Sequence, residues 1–254
     1  MKERSKPHKA YENLNFLHSA DARTIRILAE YYEPLYRFRK YGIRNTIVIF
    51  GSARSTDSQS TQLHLEKNNK NNQYKLRLAG YHDAAVDLAK RLTAWAIDKD
   101  SGKQRYFICS GGGPGMMEAA NKGAHLAGGQ SIGLNISLPM EQYPNRYISE
   151  ELNFEFHYFF IRKFWFMYLA KALVIFPGGF GTMDELMECL TLIQTKKLQK
   201  KLPVVIYGTE FWNEIINFDA LVKWGTICEE DLNLIHFSDD VADAFEYLIN
   251  NMGY

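Results

Sequence analysis

Apolar positions along the chain follow two alternating rhythms. Short, unbroken apolar runs rich in β-branched residues occur at Thr46-Ile47-Val48-Ile49-Phe50 and at Arg105-Tyr106-Phe107-Ile108-Cys109. Similar runs occur at residues 130 to 136, 172 to 176 and 202 to 207. Runs of this length predict buried strands. Between them, apolar residues recur at helical spacing. Tyr81 to Ile97 places Ala85, Leu88, Ala89, Leu92 and Trp95 on one face. Met116 to Ala127, 156 to 171, Thr182 to Lys197, Phe211 to Trp224 and Val241 to Asn251 are further predicted helices. Strands that alternate with helices predict a parallel sheet covered on both faces. The expectation is a Rossmann-like, doubly wound α/β fold, with residues 1 to 254 forming a single domain.

Two segments stand outside that rhythm. Residues 1 to 40 read as an N-terminal helical extension, polar to residue 20 and amphipathic from 21 to 40. Ile25, Leu28, Ala29, Tyr32, Leu35 and Tyr36 mark its apolar face, and Pro34 predicts a kink or split. Residues 55 to 79 read as a polar insertion. Its stretch to residue 75 contains Asn68-Asn69-Lys70-Asn71-Asn72-Gln73, which suits a solvated, disorder-prone loop.

Composition narrows the function classes. A chain with 46% hydrophobic and 23% charged residues is of ordinary globular make-up. A net charge of +1 gives no general pull toward nucleic acid or an anionic membrane, and neither is expected as a partner. The densest apolar stretch, 156 to 176, is broken by His157, Arg162, Lys163 and Lys171, so no membrane span is expected. Met1-Lys2-Glu3-Arg4-Ser5-Lys6 leads into no apolar segment of signal-peptide type. Cys109, Cys189 and Cys228 show no paired spacing, and the seven histidines show no metal-ligand spacing. A cytoplasmic protein without a metal is the expectation.

Three predicted strands end in small-residue turns. These are Gly51-Ser52-Ala53, Gly111-Gly112-Gly113 and Gly178-Gly179-Phe180-Gly181. Ligands of open parallel sheets bind beyond the carboxyl ends of the strands. Glycines there allow close backbone approach and positive φ, and the following helix offers free N–H groups to an anion. Thr182 adds a hydroxyl. One such turn is weak testimony, but three at equivalent places favour phosphate binding. The G-x-G-x-x-G pattern is not cleanly met, since Pro114 stands where a helix-opening N–H would be needed. The Walker pattern G-x-x-x-x-G-K-[ST] is absent.

Charged residues flank these turns. Arg162 and Lys163 lie within Phe159-Phe160-Ile161-Arg162-Lys163-Phe164-Trp165-Phe166-Met167, apolar nearly all round and therefore expected to be buried. A buried cation needs an anion. A structural ion pair or snorkelling competes with ligand binding for both residues. Glu185 falls in the first turn after Thr182, where a dipole-matched carboxylate and a catalytic one are equally compatible with the spacing. His157 reads as a core or ligand-lining residue. Lys196, Lys197, Lys200 and Lys201 read as complementing the dipole at a helix end. The aromatic residues from Phe154 to Tyr168 suit either core or a dimer face.

Pro177-Gly178-Gly179-Phe180-Gly181-Thr182-Met183-Asp184-Glu185 matches the pattern P-G-G-x-G-T-x-x-E. With the Arg162-Lys163 pair and the Ser110–Gly115 turn followed by Met117-Glu118-Ala119-Ala120-Asn121, the chain resembles the LONELY GUY (LOG) phosphoribohydrolases. Members of that family are often labelled lysine decarboxylase-like. The resemblance runs from about Thr46 to Ile235. It implies a hydrolase that cleaves the N-glycosidic bond of a nucleoside 5′-monophosphate, giving free base and ribose 5-phosphate without a cofactor. Arg162 and Glu185 would be the catalytic pair. Gly178, Gly179, Gly181 and Thr182 would cradle the phosphate. Ser52, Gly112, Gly113, Glu141, Lys163, Pro177 and Thr191 would line the substrate site. A homodimer is implied as well. The plant-type pattern has Met four residues after the Arg, whereas this chain has Phe166 there and Met167 next. An adenosine monophosphate-like substrate is therefore the broader expectation, with a cytokinin riboside monophosphate as its narrower form. A non-catalytic protein that binds a nucleotide or phosphorylated cofactor is the competing reading.

Overall fold

The β-branched runs form one parallel sheet. The computed structural model describes residues 7, 9–67, 72–98, 100–139 and 143–252. Among these, the strands are β1 (Thr46–Phe50), β2 (Phe107–Ser110), β3 (Ser131–Ile136), β4 (Asn153–Phe156), β5 (Ala170–Ile175), β6 (Val204–Tyr207) and β7 (His236–Ser238). Their order is β4-β3-β2-β1-β5-β6-β7 and every neighbouring pair is parallel. The chain winds outward from β1 to β4, returns to β5 beside β1, and winds outward again. The doubly wound expectation holds.

The helices are α1 (Leu14–Leu17), α2 (Arg23–Lys40), α3 (Ser58–Lys67), α4 (Gln73–Ala96), α5 (Met116–Leu126), α6 (Phe159–Tyr168), α7 (Phe180–Gln194), α8 (Thr209–Ile215), α9 (Phe218–Lys223) and α10 (Val241–Asn251). Alternate strand residues point to opposite faces, and both faces are covered. Val48 and Phe50 pack with Trp165 of α6 and Leu186 of α7. Ile47 and Ile49 pack with α4, α5 and α10 through Leu88, Met116 and Leu248. Small residues let α4 and α5 approach closely, for a Cβ on Gly123 would meet the backbone of Val86 and the side chain of Ala89. None of the described helices is long and apolar enough to cross a membrane.

Several expectations need correction. Residues 58–67 form α3, with Thr61 and Leu65 buried, instead of a loose loop. Burial of this pair on a helix that lies beside α4 outweighs a polar composition, and residues 68–71 of the same expectation lie outside the described residues. β4 and β7 escape sequence detection because Asn153-Phe154-Glu155-Phe156 and His236-Phe237-Ser238 contain no unbroken apolar run. The predicted helix at Phe211 to Trp224 is two, broken where Asn217 caps α9 by accepting from Ala220 N at 2.9 Å. Pro34 does not split α2, which runs continuously through it. A proline inside a helix costs about 3 kcal/mol. Burial of Phe38, with Tyr31 and Leu35 packed beside it, offsets that at about 1.5–3 kcal/mol per large side chain.

The expected apolar face of α2 is also reversed. Ile25, Leu28, Tyr32 and Tyr36 are exposed, while Pro34 and Phe38 are buried. Helix α6 is buried on one side only, through Trp165, Phe166 and Met167, and leaves Phe160, Phe164 and Tyr168 open. Lys200 does not serve the end of its own helix. Its Nζ donates to Met167 O at 2.7 Å and Tyr168 O at 3.1 Å, at the C-terminus of α6.

The turns after β1 and β2 interlock. Met116 N donates to Ser52 O at 2.9 Å. Gly115 has φ +72°, and a Cβ there would collide with Ser52 O and the Ala53 backbone. Gly128 has φ +74° but open space around it. Gly128→Ala should therefore cost about 1 kcal/mol of unfolding free energy for backbone strain alone. Gly115→Ala should cost at least about 1–2 kcal/mol more. Equal losses in chemical denaturation would contradict the interlock.

Candidate active site

The carboxyl ends of β1 and β5 mark the point where the winding reverses, which is where open α/β sheets place their ligands. Ser52 N donates to Pro177 O at 2.9 Å and ties the two turns together. A cavity of about 560 Å³ opens beyond them. Ser52, Gly111, Asn135, Arg162, Gly179, Gly181, Thr182 and Glu185 contribute to its wall.

The turn after β5 does not use glycine in the expected way. None of Gly178, Gly179 and Gly181 has positive φ. Gly178 is glycine because the Thr182 side chain fills the space its Cβ would need. Cβ atoms on Gly179 and Gly181 would point into open space. Their lack of side chains leaves room beside the first turn of α7. No side chain caps that terminus. The first N–H groups of an α-helix have no intrahelical acceptor, and with the helix dipole they suit an anion. Thr182 is buried beside them, and Phe180 stands 93% exposed at the rim.

Glu185 lies one turn into α7 and is 3% exposed. Its Oε2 is buried with no hydrogen-bond partner among the described residues. Arg162 sits in the second turn of α6. Its Nε is also buried and unpartnered among the described residues, and its guanidinium lies 5.4 Å from the Phe159 ring centroid and 5.3 Å from that of Phe166. Burial pushes the Glu185 carboxyl up to about 7, against the opposing pull of Lys163 and Arg162. Burial likewise lowers the pKa of Arg162, with Glu185 acting the other way. An unpaired buried polar atom costs about 1–3 kcal/mol, and more when charged. Two of opposite charge on one cavity wall make it the candidate for a ligand site.

The other sequence candidates divide. Lys163 is not on the cavity wall. Its Nζ bridges to α7 through Asp184 at 2.9 Å and Glu188 at 2.6 Å. Burial opposes its charge, but hydrogen bonds with Glu188 and Asp184 prevail and its pKa is raised. Gly112 and Gly113 are buried in a tied turn. Asn145 Nδ2 donates to their carbonyls at 3.0 and 3.1 Å and to Asn121 Oδ1 at 2.9 Å. Ser110 Oγ donates to the same Asn121 oxygen at 2.7 Å. Only Gly111 of that triplet reaches the cavity. Pro177 backs the turn and faces a separate hollow with Tyr81 and Phe211. Thr191 is brought nowhere near Glu185's cavity. Its hydroxyl donates to Met187 O at 2.7 Å, and it lines a different hollow beside Phe218 and Ile235. Glu141 lies outside the described residues. His157 is exposed and lines nothing in the cavity.

Sequence reasoning missed Asn135 and Arg54. Asn135 is a buried polar residue near the end of β3, donating to Asn153 Oδ1 at 2.7 Å and Phe154 O at 2.8 Å. A lone amide inside an apolar strand was the available signal. Arg54, exposed on the wall, directly follows the first small-residue turn.

Comparison with known proteins shows the family. A family model described as "Possible lysine decarboxylase" matches residues 117–248, just over half of the chain. The chain is 30% identical over 168 residues to the Cytokinin riboside 5'-monophosphate phosphoribohydrolase LOG of Oryza sativa subsp. japonica, and spans 63% of that protein's length and of its own. It is 33% identical over 169 residues to the Probable cytokinin riboside 5'-monophosphate phosphoribohydrolase LOG6 of Arabidopsis thaliana, covering 66% of this chain and 79% of that one. A solved molybdenum cofactor binding protein from the phototrophic bacterium Rippkaea orientalis shares the fold. Its TM-score is 0.51 at 15% identity, over 82% of this chain and 98% of that one. The matched segment carries the turn after β5, Arg162 and Glu185 together, and the chain belongs to the LONELY GUY (LOG) family, the one whose model bears the lysine decarboxylase description.

Proposed function

We propose that this protein hydrolyses the N-glycosidic bond of a nucleoside 5′-monophosphate, releasing the base and ribose 5-phosphate. The observation that carries the reading is the pairing of two orphaned groups, Arg162 Nε and Glu185 Oε2, on the wall of a cavity that also receives the uncapped start of α7. The names of the rice and Arabidopsis relatives support the same reaction class. An adenosine monophosphate-like substrate is the form we favour.

In this reading the 5′-phosphate rests on the backbone N–H groups at the start of α7, with the Thr182 hydroxyl as a further donor. Pro177 and Gly178 shape the turn. That anchor places the sugar toward Glu185 and Arg162. Breakage of the C1′–N bond sends its electron pair to the base, which takes up a proton from solvent, and leaves positive charge on C1′ and the ring oxygen. The Glu185 carboxylate stabilises that charge and accepts a proton from the water that attacks C1′. Arg162 orients Glu185 and the nucleotide through its fork of donors. Ser52 and Gly111 bound the other side. Lys163 acts at one remove, by joining α6 to α7 and favouring the charged form of Glu185.

A homodimer is part of the proposal. Ile25, Leu28, Tyr32 and Tyr36 of α2 and Phe160, Phe164 and Tyr168 of α6 are all exposed. Large apolar side chains collected on neighbouring helices suit an interface better than a solvated surface. Light scattering on the eluting protein should give twice the chain mass, and a monomer would remove this part.

Incubation with purine and pyrimidine 5′-monophosphates should release free base from at least one, followed by chromatography. Glu185→Gln should lower turnover by about 10²–10⁴-fold while nucleotide binding persists. Binding without turnover in the unaltered protein would instead favour a nucleotide carrier. Since the reactive form of Glu185 is the carboxylate, kcat/KM should rise with pH through about 7 and the rise should vanish in Glu185→Gln.

The same group sets a stability trend. Its folded pKa lies above its ordinary value of 4.5, so its contribution is complete below that pH and is lost as pH rises through about 7. Glu185→Gln should therefore gain in Tm relative to the unaltered protein between about pH 5 and about pH 8. A difference that stays constant across that window would contradict the burial of an unpaired carboxyl.

A further inference from the structure

Helix α6, which carries Arg162, is gripped at both ends by charges from distant parts of the chain. At its N-terminus, Glu30 of α2 accepts from His157 N at 2.8 Å through Oε1 and from Tyr158 N at 3.1 Å through Oε2. Tyr158 is the N-cap of α6, and no side-chain cap is supplied by the helix itself. The Tyr158 carbonyl in turn accepts from Arg162 N at 3.2 Å. One residue thus separates the Glu30 carboxylate from the backbone of Arg162. Glu30 O also accepts from Trp165 Nε1 at 3.1 Å, on the following turn. At the C-terminus, Lys200 Nζ donates to Met167 O and Tyr168 O. A carboxylate at the N-terminus and an ammonium at the C-terminus both match the helix dipole.

These contacts are more than general packing. A ten-residue helix is marginal on its own, and α6 is buried on one side only. Its ends therefore determine where its second turn stands. We infer that Glu30 is a positioning residue for Arg162, with Lys200 fixing the opposite end, so that the N-terminal helix forms part of the site it never touches. The inference rests on the proposed role of Arg162 and assigns the N-terminal extension a function. Arg37 braces the same helix against the sheet edge by donating to Asn153 O at 3.0 Å, next to its contact with the Phe154 ring.

The phosphate anchor is on α7, whereas Glu30 acts on α6. Loss of Glu30 should therefore separate kcat from KM. With adenosine 5′-monophosphate as probe, Glu30→Ala should lower kcat by about tenfold or more and change KM by less than about threefold, as expected for a misplaced orienting group. Glu30→Gln, which keeps one acceptor oxygen, should fall between. In an Arg162→Ala background the Glu30→Ala change should cost nothing further. Hydrogen exchange supplies a readout that needs no turnover. Amides of His157, Tyr158, Ile161 and Arg162 should exchange at least about tenfold faster in Glu30→Ala, while those of β1 and β5 stay as they were. Unchanged exchange in α6 would overturn the inference. So would a uniform acceleration across the fold with kcat preserved, or a full additional loss in the Arg162→Ala background. If the unaltered protein releases no base, the hydrolysis reading falls and the exchange experiment alone decides this one.

Discussion

Arg162 Nε and Glu185 Oε2 are kept from water without a partner in the described chain, and the architecture around them is organised to hold them so. Neither is idle charge at a surface. Burial lifts Glu185 to about 7, and the cations nearby only partly oppose it. Such a pair is costly to bury and becomes favourable once a polar ligand lies between. Lys163, by contrast, is satisfied by Asp184 and Glu188, and that bridge fixes the spacing of the two helices from which the pair projects.

The sheet explains why the pair meets a phosphate-sized opening. β1 and β5 are neighbours in space but are separated in sequence by three strands, so their carboxyl-end turns diverge. The turn after β5 leads into an uncapped helix, and the turn after β1 is held to it through Ser52 and Pro177. The triglycine turn after β2 is different. Asn145 takes up the Gly112 and Gly113 carbonyls, Ser110 Oγ accepts from Gly112 N, and only Gly111 reaches the cavity. Of three turns that look alike in sequence, one carries the free donors and the others support it.

Much of this was legible in the residues. The apolar runs located five strands, because burial on both faces removes polar residues from the strand altogether. The two edge strands were not legible, because polar residues interrupt their short apolar positions. Helix α2 was found, but its face was inverted. Of its expected apolar face, Ile25, Leu28, Tyr32 and Tyr36 point outward, while Leu35 packs inward with Tyr31 and Phe38. Periodicity reports an apolar face and is silent on what will cover it. Gly179, Gly181, Thr182, Arg162 and Glu185 line one cavity. Thr191 does not, since two turns of helix carry it past the cavity to another hollow. Glu30 carried no local signal, because its partners are peptide groups more than a hundred residues away.

The most direct measurement is a crystal structure of the Glu185→Gln protein soaked with adenosine 5′-monophosphate. The account requires the phosphate on the backbone N–H groups of Gly179 to Thr182, with C1′ facing residue 185 and the Arg162 guanidinium within hydrogen-bonding distance of the ligand or of residue 185. A nucleotide seated with its base in that turn, or bound in another hollow while Arg162 stays unpaired, would contradict it.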